Sequence, residues 1–595
     1  MTQSPQLGAE GVLQVSVFSG DQVVPQTVQL ISVAISRTIN MIPTAQIVVA
    51  DGDLEDGFLV SDADLFKPGA VVKITAGYGG DEETVFEGIV VKHGIDIAGD
   101  NGSQLLVECQ DKAVCMTVGR NNANYVDQSD STIISKLISA SGLLGDVQGT
   151  DCVHEGLVQH YCSDWDFMLT RADANGLLVV VTDGKISVKP PQTESAPTLK
   201  VAYGADLIAF HADLDARTQW ASAQGFAWDM KTQAVMEGDV AAPPDLTAQG
   251  NINGAALAQV LSVGAYRLQS RAPVSKPELT AWAKSAQVKA GLARVRGKMR
   301  FQGSAKAVVG GLIEIDGVGT RFNGKVIVSS VKHEIADGAW TTEVTFGMSP
   351  EWHTARANVM APPASGLLPG VEGLQIGVVS KLDGDPEGEN RVLVRVPLLG
   401  EKAAGVWARL TTQYGSSGTG VFFVPEIGDE VVLGYFDNAP SHPVIIGTLQ
   451  GSKRPPPYPM EAANKIKAIV TRSKSRIEFN DEDKVITVTT PGNNKIVLSD
   501  KDRSVQLFDQ NGNKVALTPS GISLESAKDI RINAKGIIAI EAVGKIDIMS
   551  KADLISSGLN VKCDAQVSFV AKGQASAELS ASGETVVKGA MVMIN

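Results

Sequence analysis

The sequence has little of what marks several protein classes. Five cysteines are scattered over 595 residues without a Cys-x-x-Cys pair, aromatic residues make up 5%, and no apolar run reaches about 18 residues. We therefore expect reduced thiols, a chain folded in a reducing compartment, and no transmembrane helix. The first ten residues have neither a basic nor an apolar stretch, so we expect synthesis in the cytoplasm without a secretion signal.

The charge excludes a further class of partner. The net charge is −14, whereas nucleic-acid binding depends on Lys and Arg neutralising phosphates, so we expect no nucleic-acid partner. Seven histidines are scattered along the chain without metal-ligand spacing. We accordingly predict no metal and no cofactor.

What the chain does contain is strand-forming sequence. Sixty glycines punctuate short runs of Val, Ile and Thr, which indicates a mainly β protein. A few helices interrupt the strands. The patterns predict one capped by Ser131 and ended by Gly142, one over Ser163–Ala174 with a capping-box pair, and one from about Lys276 to Val295.

Proline-rich segments suggest the domain boundaries. Residues 361–372 and 453–464 read as linkers, the second of them semi-rigid. Residues 1–360 precede the first linker, and residues 373–452 between the two contain about five short strands, as expected of a small OB-like barrel. Residues 465–595 form the remaining segment.

An eight-residue repeat runs through this last segment. Within most repeats apolar and polar residues alternate, as in a strand with one apolar face. The in-phase apolar residues, which we predict to form a buried needle core, are Ile522, Ile530, Ile538, Ile546 and Leu554 in one phase and Leu524, Ile532, Ile540 and Ile548 in a second. Small residues hold a third phase, and the phase slips after Leu559.

Such a repeat predicts a trimer. One thin strand array cannot cover its own apolar face, so it must bury that face against neighbours. Three chains could each supply one wall of a prism. The sequence thus predicts a mainly β protein with β-barrel domains and a few helices in residues 1–360, a small OB-like barrel, and a C-terminal triple-stranded β-helix or prism.

Four segments in order resemble VgrG-type spikes of contractile injection machines, which are similar to the fused hub and spike of phage tails. They are Asn40–Ala45 followed by Asp51–Gly52, Gln159–Phe167, Val331–His333 with Trp340–Thr342, and Val424–Val431. The second departs from the family's Q-Y-x-E-S-D-x-D-F signature: His160 stands for the usual Tyr and Cys162 for the usual acidic residue. The resemblance covers nearly the whole chain.

The resemblance implies a structural, homotrimeric central spike that pierces a target envelope. Residues 1–360 would be a hub docking on the tail tube and baseplate, and residues 465–595 a needle carrying a PAAR-type tip protein. The expected tip-binding residues are Met591, Val592, Met593, Ile594 and Asn595. Effector cargo and transient contact with the target membrane are further implied, in a phage-tail-like particle that we expect to be extracellular rather than a type VI system.

Catalytic motifs are incomplete. His154–Glu155 with His160 lacks the second His of HExxH, because position 158 is Val. The P-loop-like Gly319–Lys325 is followed by Val326 in place of Ser or Thr. Asp164 and Asp166 fit helix capping better than acid–base chemistry. We therefore predict no catalytic residues and no enzyme.

Two alternatives remain open. A trimeric adhesin or tail fibre can also use a β-prism, but it needs a C-terminal receptor-binding knob, and we expect none after Asn595. A spike with envelope-hydrolase activity would hydrolyse peptidoglycan.

Overall fold

The computed structural model describes residues 3–6, 9–52, 55, 57–99, 102–244, 246, 248–400 and 404–594. The chain separates into two compact units, residues 1–449 and 450–595. Each is mainly β, which confirms the predicted fold class at that level, and residues 1–449 hold a closed barrel.

The strands that precede the barrel form a large sheet and several small ones. In chain order they are β1 (Leu13–Ser19), β2 (Gln22–Val23), β3 (Leu30–Thr38), β4 (Thr44–Ala50), β5 (Val71–Tyr78), β6 (Asp81–Ala98), β7 (Gly102–Gln110), β8 (Asn121–Tyr125), β9 (Gln128–Ser129), β10 (Leu144–Val147), β11 (Val153–His154), β12 (Leu157–Cys162), β13 (Leu178–Thr182), β14 (Lys185–Lys189), β15 (Leu199–Ala202), β16 (Ala209–Leu214), β17 (Ser222–Asp229), β18 (Ala234–Glu237), β19 (Ala265–Ser270), β20 (Val295–Gln302), β21 (Leu312–Asp316), β22 (Gly324–Ala336) and β23 (Ala339–Phe346).

The large sheet joins strands that are far apart in sequence. Its order is β16–β20–β23–β22–β3–β4–β7–β6–β5–β1–β2, with β21 pairing β22 and β15 pairing β21 in parallel. Strand alternation buries one face: Ile35, Ile47 and Ile74 are fully buried in one core, and Phe301 and Phe346 in a second. Because residues 330–336 of β22 pair with β3, the N-terminal strands belong to the same sheet as the later ones.

The helices are α1 (Asp130–Ala140), α2 (Asp164–Ala174), α3 (Gly254–Val260) and α4 (Lys276–Ala293). Short 3₁₀ turns lie at Asp64–Phe66, Lys112–Thr117, His353–Ala355, Pro363–Gly366, Pro397–Leu399 and Phe436–Asn438. α1 and α2 bury their apolar stripes against the hairpin β13–β14. No helix among the described residues is long and apolar enough to cross a membrane.

Capping explains where the predictions for these helices succeed and fail. Ser163 caps α2 by accepting from the Asp166 backbone N–H at 3.0 Å, as predicted. The N-cap of α1 is Ser129, two residues before the predicted Ser131. The Ser131 hydroxyl instead accepts from the Thr150 backbone N–H. α4 ends at Ala293 rather than Val295, since Val295 already belongs to β20.

The barrel strands follow. They are β24 (Gln375–Lys381), β25 (Val392–Arg395), β26 (Val406–Leu410), β27 (Gly415–Ser416), β28 (Thr419–Gly420), β29 (Glu430–Tyr435) and β30 (Pro443–Leu449). The order β24–β25–β26–β30–β29 closes on itself, because β24 pairs with β29. Closure leaves no free strand edge, and Val394, Val431, Leu433 and Ile445 fill the interior without exposed surface. The predicted small barrel is confirmed.

Residues 450–595 form a different kind of sheet. Its strands are β31 (Ile466–Val470), β32 (Arg476–Asn480), β33 (Val485–Thr489), β34 (Lys495–Ser499), β35 (Ser504–Phe508), β36 (Lys514–Thr518) and β37 (Gly521–Glu525). Each strand pairs antiparallel with the next one along the chain. The described residues 526–594 form neither strand nor helix.

Candidate functional site: an open apolar face

Tight turns produce this antiparallel meander. Between β35 and β36 the Asp509 carboxylate accepts from the backbone N–H of Asn511 at 2.9 Å and of Asn513 at 2.8 Å, and Gly512 takes a φ of 90°. The Asn513 N–H bond, ahead of other contacts, lowers the pKa of Asp509, so the carboxylate stays ionised and holds the turn. Hairpin follows hairpin, and every side chain's face is fixed by register.

Register aligns apolar side chains across the meander. On one face, each strand contributes two residues that pair directly with two residues of the next strand. The first ladder is Ile469, Ile477, Val488, Ile496, Leu507, Val515 and Leu524. The second ladder begins at the charged Lys467 and continues with the apolar residues Phe479, Ile486, Leu498, Val505, Leu517 and Ile522. We call these two ladders the open face.

No described element of residues 450–594 packs over the open face. Ile496 and Leu507 are each 42% exposed and Phe479 is 40% exposed, whereas Phe301 and Phe346 in the first unit have no exposed surface. The opposite face carries mostly polar residues in the same register, among them Glu478, Thr487 and Gln506. An apolar face of this extent on one side of a sheet marks a surface that binds another molecule.

The open face continues into the eight-residue repeats. Leu524 of the first ladder is followed at spacings of eight by Ile532, Ile540 and Ile548, and Ile522 of the second by Ile530, Ile538, Ile546 and Leu554. All nine of these predicted core residues are exposed. Two of them, Ile522 and Leu524, lie in β37 and therefore belong to the meander, which sequence alone did not reveal.

The backbone of residues 526–594 repeats with the same period. It bends at residues 527–528, 535–536, 543–544 and 551–552, and the residues between these bends form neither strand nor helix. Ala534, Ala542 and Ser550 lie directly before three of these bends, so small residues occupy the corners. A backbone outside helices and strands leaves N–H and C=O groups that require partners from elsewhere.

After Leu559 the positions of the bends shift by one residue, which matches the slip in the repeat. Later bends fall at residues 566–567, 574–575 and 582–583, one residue before the positions that the earlier bends project. Counting from these bends, the apolar phase passes to Phe569, Leu579 and Val587, with Val561 and Cys563 in the shortened repeat between.

The predicted tip lies at the end of this stripe. Met591, Met593 and Ile594 are 80% or more exposed and Val592 is 49% exposed. Asn595 lies outside the described residues. The four described residues offer apolar surface.

The incomplete catalytic motifs form no catalytic arrangement among the described residues. His154 lies on β11 and His160 on β12 rather than on one helix. The P-loop-like segment connects β21 to β22 without a helix after it. Asp166 lies in the first turn of α2, where its side chain bonds to Ser163 and to His353 Nε2 at 3.0 Å.

Comparisons with known proteins agree with this architecture. A family model described as the type VI secretion system/phage-baseplate injector OB domain matches residues 375–449, which are the barrel. This match assigns the barrel to the injector OB domains of type VI secretion systems and phage baseplates, in agreement with the VgrG-type resemblance of the sequence. A second family model, described as the Alg8 N-terminal domain, matches residues 9–337, more than half of the chain. The chain belongs to the Alg8 N-terminal domain family.

Solved structures with similar folds are phage and secretion proteins. The 43 kDa tail protein of prophage MuSo2 from Shewanella oneidensis is 10% identical, covers 57% of this chain and 98% of its own, and has a TM-score of 0.43. The E. coli c3393 protein, a component of the type VI secretion system, is 13% identical over 73% of this chain and 99% of its own, with a TM-score of 0.35. The Francisella PdpA-VgrG complex gives 9% identity over 86% of this chain and 80% of its own, with a TM-score of 0.37.

Proposed function

We propose that this chain forms a homotrimer whose C-terminal segments close into a needle, and that the trimer is the central spike of a contractile injection machine. The observation that supports this most is the open face, which begins at β31, leads into the eight-residue repeats, and has no covering element among the described residues of 450–594. Burial of apolar surface is the dominant favourable contribution to association, so such a face requires a partner.

The partner is best supplied by identical chains. A second copy brings the same ladders at the same spacing, so apolar residues meet apolar residues along the whole stripe. Three is the smallest number of flat walls that can enclose an axis. Pairing between chains would also satisfy the backbone of residues 526–594, which a dimer of stacked faces would leave without partners.

The remaining segments take their roles from this geometry and from the spike class. Residues 1–360 would act as the hub on the tail tube and baseplate, residues 361–372 and 453–464 as linkers, and residues 373–452 as the barrel collar. The needle, residues 465–595, would pierce the target envelope, meet its membrane transiently, and carry a PAAR-type protein on Met591–Asn595. Effector cargo would travel with the spike, without catalysis by this chain.

Light scattering after size exclusion tests the assembly. The full chain should elute with three times the single-chain mass of 62.5 kDa, and a chain truncated after residue 460 should lose that state. A full chain with the mass of one copy would refute the trimer. A trimer that survives truncation would place the association in residues 1–460 and remove the needle as its cause.

Two further assays separate the roles. A purified PAAR-type protein should bind the full trimer but not one lacking residues 591–595, and equal binding to both would refute the tip assignment. Purified trimer should release no fragments from peptidoglycan, and clear hydrolysis would show that the spike is an enzyme as well.

A further inference from the structure

A cluster of metal-ligating side chains lies in the first unit. Cys152 directly precedes β11, His154 ends β11, and Glu278 lies in the first turn of α4. One ligand atom from each lies within 4.8 Å of the other two. No sequence motif links these residues, because Glu278 is more than a hundred positions away from the other two.

Contacts at Nε2 fix the orientation of the His154 ring. Its Nε2 lies 3.1 Å from Asp130 Oδ1, and the ring is almost fully buried. Asp130 in turn accepts from Arg171 Nε at 2.6 Å and from Asn175 Nδ2 at 2.8 Å. The Asp130 carboxylate is thereby held in place facing Nε2, where it can accept the ring N–H, and a carboxylate behind a histidine is the usual support of a metal ligand.

The other ring nitrogen faces a second carboxylate. His154 Nδ1 lies 3.0 Å from Glu278 Oε1. With the Nε2–H directed at Asp130, Nδ1 presents its lone pair toward Oε1, and a cation bound to both atoms would satisfy the two acceptors.

The capping box at the start of α4 fixes the orientation of the Glu278 side chain. Its Oε2 accepts from the Ser275 backbone N–H at 3.1 Å and from the Ser275 hydroxyl at 2.8 Å, which completes the capping box of α4. This use of Oε2 leaves Oε1 directed at His154. Cys152 Sγ approaches from the same side, 3.8 Å from Ser275 Oγ.

We propose that Cys152 Sγ, His154 Nδ1 and Glu278 Oε1 bind a Zn²⁺ ion, with water as the fourth ligand. Thiolate, imidazole and carboxylate are together the donor set that zinc accepts, whereas Mg²⁺ and Ca²⁺ require oxygen ligands. Glu278 is 27% exposed and Cys152 is partly exposed, so the ion can enter from solvent. The site would tie α4 to β11 and stabilise the first unit.

Binding has a defined proton balance. Burial, with the nearby Glu278 and Asp130 carboxylates, raises the pKa of Cys152 even though Ser275 opposes this, so the free thiol is protonated at neutral pH. On binding, the S–H bond breaks, the thiolate forms the S–Zn bond, and one proton passes to solvent. No oxidant or reductant takes part.

Titration of the full chain with Co²⁺ and then Zn²⁺, after treatment with chelator and reductant, tests the site. The wild-type chain should take up one Co²⁺ per chain, with a thiolate-to-cobalt band in the near ultraviolet and the visible bands of tetrahedral cobalt, and Zn²⁺ should displace it. Calorimetry in buffers of different ionisation enthalpy should find one proton released per ion.

Variants decide which side chains bind. Cys152→Ser should abolish the near-ultraviolet band, and Glu278→Gln, which keeps the capping box, should weaken binding by roughly tenfold or more. Cys115→Ser, at an exposed free thiol, is the matched control and should change nothing. Absence of saturable binding at one ion per chain, or binding that Cys152→Ser leaves unchanged, would overturn the proposal.

Discussion

Strands with the same alternation of apolar and polar residues lie in two different environments in this molecule. In β23, Trp340, Val344 and Phe346 lie beneath other strands of the same chain and are almost wholly buried. In β35, Val505 and Leu507 alternate with polar residues in the same way, yet about two fifths of each side chain is exposed. The period of a strand thus determines that one face is apolar, but the presence of a covering element is a separate property of the fold.

The largest expected effect would come from a charge within the repeats. Ile538→Asp should dissociate the trimer, because three carboxylates would meet on a dry axis. Light scattering should then report one chain. Ile537→Asp is the matched control, since Ile537 is 91% exposed and lies next to Ile538 on the outward side. Equal behaviour of the two variants would mean that the inward phase is wrongly assigned.

A comparison of core truncations would show whether the open face is buried in the assembly. Phe301→Ala in the first unit should cost about 3–5 kcal/mol of unfolding free energy. Ile496→Ala should cost about 2–4 kcal/mol if neighbouring chains cover it, and only about 0.5 kcal/mol if it stays open. Urea unfolding measures both, with Val497→Ala on the opposite face as control. A cost near 0.5 kcal/mol for Ile496→Ala would contradict the closed needle.

A smaller, pH-dependent effect belongs to the first unit alone. Complete burial lowers the pKa of His333 to about 3, and Trp340 Nε1 donates to its Nδ1 at 3.3 Å. Below the ordinary histidine pKa of 6.5 the unfolded chain takes up a proton that the folded chain excludes. Stability is therefore complete above that pH and falls as pH drops toward 3, by about 1.4 kcal/mol per pH unit.

His333→Gln should remove this slope, whatever it does to stability at neutral pH. The control is His211→Gln, because His211 is exposed beside Asp213 and should leave the slope unchanged. Urea unfolding at several pH values gives the comparison. An unchanged slope in His333→Gln would assign the acid sensitivity to other groups.

The smallest effect involves no change in stability. Cys563 and Cys115 are both exposed in the single chain, but the shifted phase places Cys563 inward. A maleimide should label Cys115 quickly and Cys563 slowly in the trimer, as mass spectrometry of digested protein would show. In the Ile538→Asp variant both should react quickly. Fast labelling of Cys563 in an intact trimer would contradict the one-residue slip.

Local chemistry explains which elements sequence could predict. The Ser163–Asp166 capping pattern and the glycine after it located α2, because both signals act within one turn. The short helix α3 was missed, since its seven residues form a weak apolar pattern after Asn253. The sequence predicts the meander only as part of the needle segment, because the turns between its strands conceal the register that aligns it with the repeats.

The sequence by itself determined the alternation, the eight-residue period and the barrel strands, because these depend on residues close together along the chain. Only the tertiary structure decided that β22 joins β3, that Glu278 meets Cys152 and His154, and that the two ladders form one continuous open face. Each of these depends on bringing distant residues together, and no local pattern records the register or packing by which a chain does so.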